Sequence, residues 1–201
     1  QEEIYDELIK MLIGNMEAQS LGDPNNFDVD IGPIINKTAH EKLKNYIESC
    51  REKGMDVIEV NQVTCDKYIQ PTLINIRKIS DIKKEHFGPI LHILKYPSDG
   101  IDDLIKQIND SEYGLTMGIH TRIESRASYI CDKSKIGNIY VNRDMVGAVV
   151  GSQPFGGIGL SGSGFKAGGP NYLKQFLNEK VVSKNSVAFG GNTELLNLQK
   201  D

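Results

Sequence analysis

The residues best able to do chemistry crowd into one stretch, GNIYVNRDMVGAVVGSQPFGGIGLSGSG, positions 137–164. Consecutive small residues expose backbone N–H groups and let a ligand come close, which is how a carboxylate can be held without a buried arginine. Val146, Val149, Val150 and Phe155 inside the stretch predict a packed wall rather than a slack loop. The same stretch contains Gly157-Ile158-Gly159-Leu160-Ser161-Gly162, a literal GxGxxG. That fingerprint binds a dinucleotide only where a strand enters the turn and a helix leaves it. Here GSQPFG precedes it and SGFKAGG follows, which cannot continue as a helix, so the match is read as coincidental.

A second candidate is Glu85, which opens EHFGPI. One carboxylate can accept hydrogen bonds from both hydroxyls of a ribose; the plainer alternative is a solvated surface charge. Phe87 beside it is either core or a surface for a flat ring. The cysteines supply no nucleophile. Cys50 and Cys131 fall on the apolar faces of predicted helices and read as core fillers, since a reactive thiol needs exposure and a positive neighbourhood. Cys65, in VTCDK, has Lys67 nearby but no catalytic frame. His40, His86, His92 and His120 lack HExxH or CxxC context, and no metal site is predicted.

These residues need a scaffold, and 201 of them with 39% hydrophobic and 25% charged content form an ordinary globular chain. Twenty-three basic against 27 acidic residues leave a formal charge of −4, which argues against nucleic acid as a partner of this segment. Three scattered cysteines make no disulfide framework and point to a reducing, cytoplasmic setting. No apolar run has the length of a membrane span, and QEEIYDELIK is no signal peptide.

Ile4, Leu8, Met11 and Leu12 share one face of a first helix. Thr38 with Glu41 fits a capping box for a second, whose buried stripe is Leu43, Tyr46, Ile47 and Cys50 and whose terminator is Gly54. Strands are predicted at 57–60, 68–76, 89–96, 115–121 and 138–142, with helices over 99–109 and 123–132 between them. The fourth helix faces inward through Ile123, Ala127, Ile130 and Cys131. Pro170 opens a last helix carrying Tyr172, Leu173, Phe176 and Leu177. Alternating strands and helices imply an α/β fold with a largely parallel sheet and flanking helices. The first helix begins without a cap or a leading strand, so the chain reads as part of a larger domain.

EHFGPI, YGLT, GNIYVN, QPFGGIGLSGSG and GGPNYLKQF together resemble the C-terminal part of an aldehyde dehydrogenase. Within that superfamily, MVGAVVGSQPFGG followed by KAGGPNYL is similar to L-glutamate γ-semialdehyde dehydrogenases. The terminal FGGNTELL resembles bacterial bifunctional enzymes that join this activity to an FAD-dependent proline dehydrogenase.

The resemblance implies a thiol catalytic domain over residues 1–179 and an extended oligomerisation arm and tail over 180–201, with the Rossmann NAD domain absent. It implies oxidation of L-glutamate γ-semialdehyde to glutamate. A cysteine thiolate attacks the aldehyde, a hydride passes to NAD⁺, and a glutamate-activated water hydrolyses the thioester. That cysteine and the general base would lie upstream of this chain, so the chain alone is expected to be inactive.

Carried onto this sequence, Glu85 matches the glutamate that holds the nicotinamide-side ribose, and Phe87 the aromatic beside the nicotinamide. Gly147 and Ala148 match the loop whose amides hold the substrate α-carboxylate, and Phe155 the aromatic on its aliphatic chain. Asn142 matches a structural strand-end asparagine. Two departures stand out: His86 replaces a usually aliphatic residue, and Ala148 replaces a serine found in some single-function relatives. The arm from Lys180 to Val187 implies strand addition to a second copy. Two other readings stay open: a dehydrogenase for another aldehyde, such as succinate semialdehyde, and a non-catalytic assembly module.

Overall fold

The computed structural model describes residues 1–60, 66–145, 147, 149, 152–162, 164–185 and 188. They divide into two compact units, one within Gln1–Gly147 and Gly156–Ser163, the other within Ala148–Phe155 and Gly164–Asp201.

The first unit opens with helix α1 (Glu2–Ala18), whose Glu2 N–H donates to the Tyr96 carbonyl at 2.9 Å in place of a side-chain cap. Helix α2 (Lys37–Glu52) is capped by Asn36, not by Thr38. Asn36 sits in extended backbone and its Oδ1 accepts from the Ala39 N–H at 2.8 Å, which leaves Thr38 inside the first turn. Leu43, Ile47 and Cys50 are buried as their spacing predicted, and Gly54 ends the helix region at φ +70°, a conformation open to glycine.

Strands β1 (Asp56–Glu59), β2 (Thr72–Ile76) and β3 (Ile90–Leu94) form a sheet in the order β1-β2-β3. The β1–β2 pairing is antiparallel and the β2–β3 pairing parallel. Alternate residues of β2 face opposite sides: Leu73 packs with Met16, Val60 and α1 residues, whereas Ile74 and Ile76 pack with Cys50 and Tyr46 of α2. Leu73 and Ile74 are both fully buried, each contributing about 2 kcal/mol of hydrophobic stabilisation.

Beyond α3 (Ile101–Asp110) come β4 (Tyr113–Gly114), β5 (Thr116–Ile119), α4 (Glu124–Lys133), β6 (Asn138–Val141) and β7 (Ile158–Gly159). β5 and β6 are parallel across the α4 crossover, and β4 pairs antiparallel with β7. The fold is mixed α/β built on small sheets. One largely parallel sheet was expected; the described strands form three small sheets in which two pairings are parallel and two antiparallel. The β2–β3 connection runs through a 3₁₀ turn (Ile79–Asp81) and irregular chain rather than a long helix.

Three other expectations are corrected. Ile123 is 53% exposed because it precedes α4, whose buried residue is Ala127. Cys131 is only partly buried, unlike Cys50. Residues Tyr172–Phe176, in the second unit, form a 3₁₀ turn with Leu173, Phe176 and Leu177 exposed. No helix among the described residues is long and apolar enough to cross a membrane.

Candidate functional site

The segment between the 3₁₀ turn and β3 lies along α2, and two contacts pin it there. His86 stacks on the Tyr46 ring, centroids 3.3 Å apart and planes 14° from parallel. At Gly88 an added Cβ would stand 2.6 Å from a Leu43 methyl, so a side chain there would require the Leu43 side chain to shift. Leu43 and Tyr46 sit three residues apart on one face of α2. Of residues 85–88 only His86 is partly buried, against the helix. Glu85 is exposed and Phe87 is 87% exposed.

Glu85 and Phe87 line a cleft of about 840 Å³ together with Lys42, Lys53, Lys83 and Lys84. Asp81 is the cleft's other carboxylate, so the cations outnumber the anions. A cleft of this charge suits an anionic ligand, with Glu85 free to accept hydrogen bonds from hydroxyls and Phe87 offering a ring face. An 87% exposed phenylalanine has no core role, which removes one alternative for it. The lysines were not singled out in the sequence, where they read as ordinary solvated charge.

The glycine-rich stretch is built by backbone packing. A Cβ at Gly137 would meet the Gly156 carbonyl oxygen at 2.1 Å, and one at Gly162 the Gly157 carbonyl oxygen at 2.2 Å. The Gly156 N–H donates to Asn138 Oδ1 at 3.1 Å, and the Leu160 N–H to the Glu112 carbonyl at 2.8 Å. Gly159 lies on β7, opposite Tyr113, and among the described residues no α-helix follows the Gly157–Gly162 motif. Its glycines serve close backbone approach, with no phosphate-binding helix N-terminus beside them.

Asn142 ends β6 at φ +53°, a left-handed conformation that asparagine tolerates. Its Oδ1 accepts from the Thr121 N–H at 2.9 Å and its Nδ2 donates to the Thr121 carbonyl at 2.8 Å. It thereby clamps the end of β6 to the chain leaving β5. Asn142→Ala forfeits both bonds and strains the backbone, and the chain is expected to lose about 2 kcal/mol of unfolding free energy in a urea titration.

Gly147 is exposed, and a Cβ there would meet no atom within 4 Å. Ala148 lies outside the described residues. Phe155 belongs to the second unit, where it is partly buried and exchanges two backbone hydrogen bonds with Ala167, each 3.0 Å. The structure therefore brings Glu85 and Phe87 together on one cleft. Cys65 also lies outside the described residues.

An α/β unit with this cleft and glycine framework has clear counterparts. The sequence profile of the aldehyde dehydrogenase family matches residues 1–182, and the chain belongs to that family. It is 43% identical over 197 residues to the bifunctional protein PutA of Klebsiella aerogenes, covering 94% of this chain and 15% of the relative. It is 34% identical over 186 residues to 1-pyrroline-5-carboxylate dehydrogenase of Bacillus licheniformis, covering 91% of this chain and 36% of that protein. A crystal structure of a variant of Bradyrhizobium japonicum proline utilization A superposes with a TM-score of 0.85 at 37% identity, over 94% of this chain and 19% of that one. The chain thus spans about 15% of the length of PutA and about a third of the single-function dehydrogenase.

Proposed function

We propose that this chain is the C-terminal part of the catalytic domain of an NAD-dependent L-glutamate γ-semialdehyde dehydrogenase, within a bifunctional protein that also oxidises proline. The observation that carries the reading is the Glu85–Phe87 pair on a cation-rich cleft, in a chain whose residues 1–182 match the family profile. These groups fit NAD⁺, which when bound would supply the hydride acceptor. Glu85 would accept hydrogen bonds from the hydroxyls of the nicotinamide ribose, and Phe87 would lie against the ring. The flavin of a proline-oxidising half would be held outside the matched stretch.

The substrate end of the reading rests on Gly147, Ala148 and Phe155. Main-chain amides at 147 and 148 would hold the α-carboxylate of the semialdehyde, and the Phe155 ring would cover its aliphatic carbons. Holding the zwitterionic end restricts where the aldehyde carbon can sit, the entropic part of catalysis. The exposure of Gly147 supports this.

The arm from 180 onward is proposed to add a strand to a second copy, in a homo-oligomer. Val181 is 84% exposed and Val182 60%, apolar surface that such pairing would cover. The rival reading with another aldehyde has a specific neighbour in aldehyde dehydrogenase 21 of Physcomitrella patens with succinate, TM-score 0.73, 27% identity, 83% of this chain and 34% of that one. The higher identity to the proline-pathway relatives favours the semialdehyde of glutamate.

The direct test uses the 201-residue chain itself. Incubated with L-glutamate γ-semialdehyde and NAD⁺, it is expected to form no NADH, because no residue of the chain is assigned as nucleophile. NADH formation above the no-protein control would overturn that part of the reading.

A further inference from the structure

His86 departs from the residue type the family resemblance implies, and the structure gives it a partner set. Its ring lies on Tyr46, and the Tyr46 hydroxyl and His92 Nε2 are 2.7 Å apart. The His86 and His92 ring centroids are 6.4 Å apart. Three side chains from three segments, α2, the 85–88 segment and β3, thus meet in one aromatic cluster, and Tyr46 and His86 of that cluster themselves line the cleft. We propose that Tyr46, His86 and His92 form a positioning unit that keeps Glu85 and Phe87 turned toward the nicotinamide nucleotide, and that a proton taken up by the imidazoles releases the segment. The inference rests on the cofactor reading of Glu85 and Phe87 given above.

The geometry carries the first half. Of residues 85–87 only His86 is partly buried, and its stacking on Tyr46 anchors the stretch of backbone from which Glu85 and Phe87 reach the cleft. A stacked aromatic pair contributes beyond its area burial, and Tyr46 is itself fixed by its bond to His92 and by packing against the Cys50 cluster. Burial, with a hydrogen bond to Cys50, holds the Tyr46 hydroxyl well above the ordinary tyrosine range, so it stays protonated throughout.

The second half follows from the charges around the rings. The 82–88 segment brings Lys83, Lys84 and Glu85, the 3₁₀ turn Asp81, and α2 brings Lys42, with Lys53 just past its end, to the cleft. β1 and β2 present apolar Val57, Ile74 and Ile76 to the cluster. Burial lowers the affinity of His86 for a proton, and Lys84 and His92 lower it further; burial does the same for His92. The closed arrangement therefore favours the neutral form of both rings. Opening restores the ordinary value of 6.5, so the open segment binds more protons and gains population as the pH falls below 6.5.

The test measures NAD⁺ dissociation constants in the full-length protein of which this chain is proposed to be part. His86→Ala is expected to weaken NAD⁺ binding about tenfold at pH 7.5, while His86→Phe, which keeps a ring on Tyr46, stays within about twofold of the native protein. Native affinity is expected to fall between pH 7 and pH 5.5, and the double change His86→Phe with His92→Gln to flatten that fall. Hydrogen exchange of the 201-residue chain supplies a readout free of nucleotide: amides 82–88 should exchange faster in His86→Ala and in acid. Native-like NAD⁺ affinity and exchange in His86→Ala would overturn the proposal, as would an unchanged acid profile in the double variant. Glu85→Gln separates the two failures. If it weakens binding while His86→Ala does not, only the positioning unit falls; if neither weakens it, the cofactor reading has failed as well.

Discussion

Replacing Gly137 with alanine is expected to remove the cooperative unfolding transition of the chain, or to lower its stability by more than about 3 kcal/mol. The added carbon would stand 2.1 Å from the Gly156 carbonyl oxygen and 2.8 Å from the Gly157 Cα. Both are backbone atoms, so no rotamer change relieves the clash. The chain must instead move β6, which Gly137 leads into, away from the segment that feeds β7. That motion would break the Asn138 bond to the Gly156 N–H and strain the β4–β7 pairing. Gly14→Ala supplies the contrast: it lies inside α1 with nothing within 4 Å of the new carbon. Alanine there restricts the unfolded chain and should raise stability by about 0.5–1 kcal/mol. Thermal and denaturant melts of both variants check the pair. Equal small effects would mean that the glycine framework is slack.

The second large effect is predicted at Gly147, with stability held constant. Its backbone is not in the left-handed region and a side chain there would enter open space, so Gly147→Val should change the unfolding free energy by less than about 0.5 kcal/mol. In the full-length protein the same change should lower kcat/KM for L-glutamate γ-semialdehyde about 100-fold. On the proposed reading a valine side chain at 147 would hinder the substrate carboxylate, and losing a charged hydrogen-bonding site costs about 1.5–3 kcal/mol, with each 1.4 kcal/mol a factor of ten. Propanal, which has no carboxylate, should lose less than about threefold. Equal losses on both aldehydes would remove the carboxylate assignment and favour the reading with another aldehyde. Full activity on both would place substrate binding elsewhere.

The α2 periodicity legible in the sequence was created by burial, whereas the predicted face of α1 is exposed at Ile4, Leu8 and Met11. Leu43, Ile47 and Cys50 repeat at helical spacing because one face of α2 packs against residues of β1, β2 and β3, and they are buried accordingly. Cys131 and Ile123 show where that logic weakens, since α4 is short and only its central turn packs closely. The helix cap moved from Thr38 to Asn36 because two neighbouring residues can each cap, and sequence spacing alone does not choose between them. Strand direction was misjudged for a related reason: alternating strands and helices forecast parallel crossovers, whereas β1–β2 and β4–β7 are joined as antiparallel pairs.

What the sequence determined on its own was the family, through an ordered set of short motifs, and with it the expected identities of Glu85, Phe87, Gly147, Ala148 and Phe155. Such motifs are local, and local chain is what a sequence displays. The tertiary structure alone decided that Glu85 and Phe87 share a lysine-rich cleft, that the literal GxGxxG is a backbone knot, and that His86 lies on Tyr46 beside His92. Tyr46 is 40 positions from His86 and 46 from His92, and Gly137 is 19 and 20 positions from its packing partners Gly156 and Gly157. Only the folded path of the backbone brings such atoms within a few ångströms of one another.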